Sequence, residues 1–227
     1  MNTNCWVKDN CKKYKNNQCN PEDFCIKLFK LKCLYDKALL SEHQRYRVAL
    51  FPESDGTDKD VFDTLKNIEN NIIDFVNKGS NLYIHSCICG NGKTAWSVRM
   101  IQAYLNKIWP NSDITCRALF INVPRFLLTL KDSISKESEY INHIKKYVLD
   151  ADLVVWDEIG VKALTAYEHE NLLNLINTRL DCGKSNIYTS NLSGEELKEK
   201  IGERLYSRVV KLSTDLEFKG ADKRGIV

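Results

Sequence analysis

The sequence predicts an α/β protein with a parallel sheet covered by helices on both faces. Three observations predict this class. One apolar run, which starts at Leu82, leads into a glycine-containing loop and a helix, and a second run, 153–156, ends in two carboxylates. Strand and helix patterns then alternate along the chain. Continuous apolar runs suit strands that are buried on both faces, and βα alternation produces parallel strands.

The predicted elements follow one another without internal repeats. Apolar residues at three- and four-residue intervals predict a helix over 60–77 that ends at Gly79. A turn-rich connector, 51–58, separates it from an earlier helical pattern at 24–40. The remaining helices are predicted at 92–109, 124–134, 139–149, 166–182 and 202–208, and the remaining strands at 115–122 and 185–190.

The loop after the first strand ends in Gly90-Asn91-Gly92-Lys93-Thr94 at the start of a helix. Backbone N–H groups of such a loop, together with the positive end of the helix, bind phosphate. Lys93 would contact the β- and γ-phosphates of ATP, and the Thr94 hydroxyl would ligate Mg²⁺. Cys87 stands where the first glycine of this pattern is usual, so a chance match is the alternative.

Two carboxylates, Asp157 and Glu158, follow the apolar run at 153–156. The carboxyl end of a parallel strand is where such sheets place ligand chemistry. We expect Asp157 to hold Mg²⁺ through water and Glu158 to orient and deprotonate the attacking water. The alternative is a strand followed by an acidic helix cap.

Cysteines are concentrated at the start of the chain, where five of the nine fall within the first 33 residues. The segment up to residue 20 has too few apolar residues to form its own core. We therefore predict a zinc site, with an iron–sulfur cluster or free thiols as alternatives. Cys33 and the four later cysteines are interpreted as small core residues. The predicted ligands are Cys5, Cys11, Cys19 and Cys25.

Charge also divides the chain, because residues 1–50 carry a net +5 and the remainder a net −2. We predict a cysteine-rich segment at 1–50 and an ATPase domain at 51–227. The basic segment would contact nucleic acid or an acidic protein surface, unless it is a solvated helix face. No apolar stretch is long enough to cross a membrane, and the start of the chain lacks a signal core, so we expect a cytoplasmic protein.

Further motifs complete the pattern. Residues 186–192 are Asn-Ile-Tyr-Thr-Ser-Asn-Leu, residues 201–208 are Ile-Gly-Glu-Arg-Leu-Tyr-Ser-Arg, and residues 220–224 are Gly-Ala-Asp-Lys-Arg. With the phosphate loop and the acidic pair, these motifs resemble the DnaC/DnaI family of helicase-loader ATPases, a branch of the AAA+ superfamily. The resemblance covers about residues 55–227 and implies a P-loop AAA+ core without a C-terminal helical lid.

The resemblance also implies roles for individual residues. Asn191 would be the sensor that contacts the γ-phosphate or the attacking water. Arg204 would be an arginine finger that acts on the ATP of the adjoining subunit, supported by Arg208, and Arg224 would be the second sensor. The alternative for Arg204 and Arg208 is a basic helix face that pairs with Glu203 or solvent.

The expected function is ATP-dependent loading of a replicative DnaB-type helicase, in a compact form typical of a phage or mobile element. The N-terminal segment would grip the helicase, and the ATPase core would self-associate and bind single-stranded DNA. Phe126, Arg125 and Lys131 are candidates for the DNA contact, although the helical spacing of Phe126 also suits the core. Alternatives are an IstB-type transposition ATPase and a nucleotide-gated adaptor with negligible turnover.

Overall fold

The sheet is parallel throughout and has five strands in the order β2-β3-β4-β1-β5. The computed structural model describes residues 5, 11–20, 24–41, 44, 56–133 and 135–223. The strands are β1 (Asn81–His85), β2 (Ala118–Asn122), β3 (Leu153–Asp157), β4 (Ser185–Ser190) and β5 (Thr214–Glu217). The helices are α1 (Lys12–Lys15), α2 (Ile26–Lys37), α3 (Lys59–Asn70), α4 (Ile72–Asn77), α5 (Lys93–Ile108), α6 (Val123–Asp132), α7 (Glu139–Tyr147), α8 (Ala166–Asp181), α9 (Gly194–Ile201) and α10 (Glu203–Val209).

Alternate side chains of the strands enter two hydrophobic cores on opposite faces of the sheet. Ile84 and Phe120 pack in one core with α2, α3, α4 and α5. Tyr83 and Trp156 pack in the other core with helices α6 to α10. This alternation follows from the two-residue period of a strand, and the cover on both faces confirms the predicted fold class. No helix within the described residues is long and apolar enough to span a membrane.

The register of the strands brings their carboxyl ends to one edge of the sheet. His85 at the end of β1 pairs with Ser190 at the end of β4, and Asn122 at the end of β2 pairs with Asp157 at the end of β3. The loops that leave these strands are therefore neighbours. The phosphate loop and the acidic pair meet at this edge, as expected for an open parallel sheet.

Helix α2 shares a core with the sheet. Leu31 and Leu34 are fully buried, and the Tyr35 hydroxyl donates to Asn106 Oδ1 on α5 at 2.9 Å. Just after the helix, the Ala38 carbonyl accepts a 2.9 Å hydrogen bond from the Phe120 N–H of edge strand β2. Residues 24–40 therefore cover one side of the sheet.

The predicted zinc site is not supported by the structure. The four proposed ligands are among the described residues, and no group of three or more potential ligands there could hold a metal ion. Instead, Cys11 is buried in the core that contains α2, and Cys5 packs against that core. A buried thiol of this kind packs as a small apolar group. An iron–sulfur cluster would need the same set of convergent thiolates. The predicted ligands are Cys5, Cys11, Cys19 and Cys25.

Other cysteines also differ from the prediction of small core residues. Cys116 is buried as predicted, but Cys87, Cys89 and Cys182 are exposed. The first two lie on the loop that projects from the end of β1, and Cys182 follows the last residue of α8. Neither position lies under the helices that cover the sheet. The apolar residues next to these three cysteines in the sequence therefore do not imply that the cysteines are buried.

Further differences are local. The helix predicted over 60–77 is two helices that break at Asn71, whose side-chain amide donates to the Asn67 carbonyl at 3.0 Å. The strand predicted at 115–122 begins only at Ala118, because Asp113 Oδ1 accepts from the Thr115 N–H and forms a turn. Helix α9 and strand β5 were not predicted.

A buried arginine ties the amino ends of the strands to α8. Arg179 is fully buried and donates from Nε to Asn186 Oδ1 at 2.7 Å. Its two terminal nitrogens donate to the carbonyls of Val148, Ala151 and Ser185 at 2.6–2.7 Å. Burial lowers the pKa of Arg179 to about 10, so it still carries a positive charge at neutral pH.

Candidate active site

The loop between β1 and α5 is folded around one serine. Ser86 Oγ accepts hydrogen bonds from the Ile88 N–H at 3.0 Å and from the Asn91 side-chain amide at 2.6 Å. Gly90 and Gly92 have φ angles of 76° and 114°, which side-chain-bearing residues rarely adopt. The loop conformation therefore requires these two glycines, and Asn91 fixes it from a fully buried position.

Lys93 begins α5 and turns its side chain back into the loop. Its ammonium donates to the Ile88 carbonyl at 2.9 Å and, at longer range, to Asn91 Oδ1 at 3.3 Å. The side chain is almost completely buried. These two partners are neutral oxygens, so the loop holds a cation where a phosphate chain would supply negative charge.

Asp157 lies between two threonines. Its Oδ1 accepts from the Thr94 hydroxyl at 2.9 Å and from the Thr189 hydroxyl at 2.7 Å. Burial raises the pKa of the Asp157 carboxyl, and the charge of Glu158 raises it further. A nearby cation would reverse this effect. A hydroxyl and a buried carboxylate in contact fit Mg²⁺, which Thr94 and Asp157 would hold together with the phosphates of ATP.

Glu158 is held by contacts to two neighbouring strands. Its backbone has φ 62°, a left-handed conformation that is strained for a side-chain-bearing residue. Its N–H donates to Thr189 Oγ1 at 2.9 Å, and its Oε2 accepts from the Asn122 side-chain amide at 3.0 Å. Asn122 Oδ1 in turn accepts from the Arg125 N–H and caps α6. The Glu158 carboxylate is thus fixed at the end of β3, on a residue with a strained backbone.

Sequence reasoning missed Thr189 and Asn122. One Thr189 hydroxyl donates to Asp157 and accepts from the backbone of Glu158, so it links the two carboxylates. Both residues could have been found from their positions at the carboxyl ends of predicted strands. Asn122 pairs in register with Asp157, and Thr189 is the penultimate residue of β4. Asn191, the predicted sensor, follows β4 at the same edge and is half-buried.

Two of the predicted arginines lie on helix α10. Arg204 is exposed in the first turn of α10, and Arg208 is exposed one turn later and donates to Asn177 Oδ1 of α8 at 2.7 Å. Glu203 forms its ion pairs with Lys198 and Lys211. The predicted second sensor, Arg224, lies outside the described residues.

The predicted aromatic contact with DNA does not form around Phe126. This ring is 2% exposed and belongs to the core beneath α6, so it cannot stack on a base. Arg125 lies over the ring of Tyr140, with its guanidinium carbon 4.4 Å from the ring centre. Lys131 is exposed.

A parallel sheet with a phosphate loop after β1 and an acidic pair at the end of β3 defines a P-loop core of the AAA+ type. More specifically, the IstB-like ATP binding protein family matches residues 36–220, and the chain belongs to that family. No curated protein sequence matches the chain.

Solved structures share the fold. The DnaC helicase loader aligns with a TM-score of 0.63 at 19% identity, covering 79% of this chain and 100% of that chain. DnaI aligns with a TM-score of 0.57 at 18% identity, covering 84% and 93%. Domain III of the replication initiation protein DnaA from Thermotoga maritima aligns with a TM-score of 0.57 at 21% identity, covering 77% and 67%. The family and fold matches confirm the predicted resemblance to the DnaC/DnaI family.

Proposed function

We propose that this chain is a magnesium-dependent ATPase that loads a replicative DnaB-type helicase and binds single-stranded DNA. The observation that carries the proposal is the meeting of Lys93, the Thr94–Asp157 contact and Glu158 at one edge of the sheet. Similar folds support the biological setting, because one belongs to a helicase loader and another to replication initiator DnaA bound to AMPPCP and single-stranded DNA.

The site residues divide the work of hydrolysis. Lys93 and the loop N–H groups bind the phosphates, and Glu158 orients and deprotonates the attacking water. Bound Mg²⁺ supplies positive charge to the phosphate oxygens. Asn191 contacts the γ-phosphate or the water from the end of β4, and Arg224 contacts the nucleotide from the C-terminal segment.

A pair of variants tests this assignment. Lys93→Ala should lose nucleotide binding, whereas Glu158→Gln should bind MgATP normally and hydrolyse it slowly. Exposed residues give matched controls, Lys145→Ala and Glu199→Gln, which should leave both properties unchanged. Binding is measured by calorimetry and hydrolysis by phosphate release. Equal binding defects in Lys93→Ala and Glu158→Gln would contradict the assignment.

Exposure of Arg204 supports an active site completed by a second subunit. Arg204→Ala should retain nucleotide binding and lose turnover by about 10³-fold, as arginine fingers do. Mixing it with Lys93→Ala should partly restore hydrolysis, because the Lys93→Ala subunit offers an intact finger to its neighbour. A mixture no more active than its components would refute hydrolysis between subunits.

Helix α2 supplies a surface for the helicase. Phe24 and Phe29 are 76% and 48% exposed and their ring centres lie 5.6 Å apart, and the half-buried Lys27 and Lys30 lie in the same stretch of chain. The family match makes an IstB-type transposition helper the second candidate. Co-purification from the native host with a hexameric helicase, and not with a transposase, would distinguish them. A third candidate, an adaptor with negligible turnover, would bind ATP without DNA-stimulated hydrolysis.

A further inference from the structure

The carboxylate of Asp58 has an unusual place for a residue at the start of a helix. Asp58 immediately precedes α3, where an aspartate ordinarily accepts a hydrogen bond from its own helix. No such bond forms here. Instead Asp58 Oδ1 accepts from the Lys219 N–H at 2.7 Å, and Oδ2 accepts from the Gly220 N–H at 2.9 Å. The carboxylate is 3% exposed and grips a segment about 160 residues away.

Residues 218–223, here called the strap, are fitted to this grip. A Cβ on Gly220 would lie 2.6 Å from Asp58 Oδ2, so only glycine allows the carboxylate to approach. Phe218 is buried and packs edge-on against Phe62 of α3, with ring centres 5.6 Å apart. The strap is therefore held to α3 by a charged group and an aromatic contact.

The far end of the strap contacts the phosphate loop. The Lys223 N–H donates to the Gly90 carbonyl at 3.1 Å. In a trans peptide the carbonyl and the following N–H point in opposite directions, so this bond turns the Asn91 N–H away from the strap. Phe62 also packs edge-on against Trp96, one turn into α5, at 5.3 Å. The strap thus contacts the chain just before Lys93, at Gly90, and α3 contacts it just after Lys93, at Trp96.

We propose that Asp58 is a positioning residue for nucleotide binding. Asp58 holds the strap in place, so the Lys223 N–H can donate to the Gly90 carbonyl. This hydrogen bond orients the peptide between Gly90 and Asn91 so that the Asn91 N–H faces the phosphates. The clamp also fixes the residue before Arg224. This inference rests on the proposed function, because it concerns the same nucleotide site. By linkage, bound nucleotide must tighten the strap to the same degree that the strap tightens nucleotide binding.

Two variants weaken the clamp from opposite sides. Asp58→Asn keeps the shape of the side chain but offers an oxygen to only one of the two N–H groups, and Gly220→Ala displaces the strap from an unchanged carboxylate. Each should weaken MgADP binding about tenfold, the typical loss for a hydrogen bond to a charged group. Because both break the same contact, the double variant should be little worse than either single variant.

Two control variants and one further measurement make the result specific. Asp60→Asn changes an exposed aspartate on the same helix and should bind MgADP normally. Arg179→Met destabilises the protein at the opposite edge of the sheet and should also bind normally below its melting temperature. Amide exchange of residues 219–223 should be faster in Asp58→Asn, and MgADP should slow it in the wild type.

The outcomes separate the two proposals. If Asp58→Asn exchanges faster in the strap but binds MgADP within about twofold of the wild type, Asp58 is only structural. The same conclusion follows if Arg179→Met loses as much MgADP affinity as Asp58→Asn. If Asp58→Asn does not fold, Gly220→Ala decides by the same criteria. If the wild type and Asp60→Asn bind no nucleotide at all, the proposed function itself fails.

Discussion

Replacing Asp157 with asparagine is expected to stabilise the nucleotide-free protein while abolishing magnesium-dependent hydrolysis. The carboxylate is 3% exposed, and burial raises its pKa. Asparagine has nearly the same shape. Its amide oxygen, placed where Oδ1 lies, would still accept hydrogen bonds from Thr94 and Thr189. The substitution therefore removes a buried negative charge and opens no cavity.

The sign follows from the pKa of Asp157. Since this pKa is raised in the folded protein, the combined effect of burial, hydrogen bonds and the Glu158 charge disfavours the ionised form. Neutral hydrogen bonds are weaker than charged ones, which offsets part of the gain. We expect the net stabilisation to fall in the range of about 0.5–2 kcal/mol that single stabilising substitutions give, which is a rise of a few degrees in melting temperature.

The stabilisation should depend on pH. A carboxyl whose folded-state pKa is raised contributes stability below its unfolded value, about 3.9, and loses it as pH rises through the folded value. The free energy of unfolding of Asp157→Asn should therefore exceed that of the wild type by little near pH 4. The difference should grow toward neutral pH and then level off.

Urea unfolding without nucleotide or Mg²⁺, at several pH values, measures this difference. Asp152 on the opposite side of the sheet gives a control of opposite sign. Burial raises the pKa of Asp152, but hydrogen bonds from Tyr104, Lys184 and Arg117 outweigh it and lower the pKa overall. Asp152→Asn should thus destabilise the protein near neutral pH. An Asp157→Asn protein less stable than the wild type, or a difference independent of pH, would refute the reasoning.

Two further predictions concern stability and thiol chemistry. Arg179→Met should lower the free energy of unfolding by about 3–5 kcal/mol in urea titrations, because it leaves three carbonyls without their buried donor and Asn186 Oδ1 with the Trp156 indole as its remaining donor; a loss below about 1 kcal/mol would contradict this role. MgATP should slow the alkylation of Cys87 and Cys89 by N-ethylmaleimide but leave exposed Cys182 unprotected, as read by mass spectrometry of each site. Equal rates with and without MgATP would place the nucleotide elsewhere.

Much of the fold could be predicted because strand and helix patterns alternate along the chain and β3 begins with a continuous apolar run. Strand β4 was predicted with its observed bounds, and α8 within one residue at its end. Strand β5 was missed because only Leu216 of its four residues is buried, so it has no apolar run. Helix α9 was missed for a related reason, since most of its eight residues face solvent.

The site was predicted only where local sequence carries the chemistry. Lys93, Thr94 and the acidic pair occur in recognisable runs, and parallel strands bring such runs to one edge. Thr189 acts through a contact between strands β3 and β4, and no local pattern distinguishes it from other strand threonines. The predicted zinc site is not supported among the described residues, and counting thiols does not reveal that Cys11 packs in a core.

The nucleotide-free site holds two ionic groups of opposite sign in buried positions. Lys93 donates to neutral loop oxygens, and the hydrogen bonds that Asp157 accepts from Thr94 and Thr189 come from neutral hydroxyls. The two hydroxyl contacts compensate only in part for the lost hydration of the Asp157 carboxylate. ATP phosphates would bind Lys93, and Mg²⁺ would neutralise the Asp157 carboxylate. MgATP should therefore stabilise the folded protein against unfolding more than ATP alone does, because only the metal complex brings a cation to Asp157.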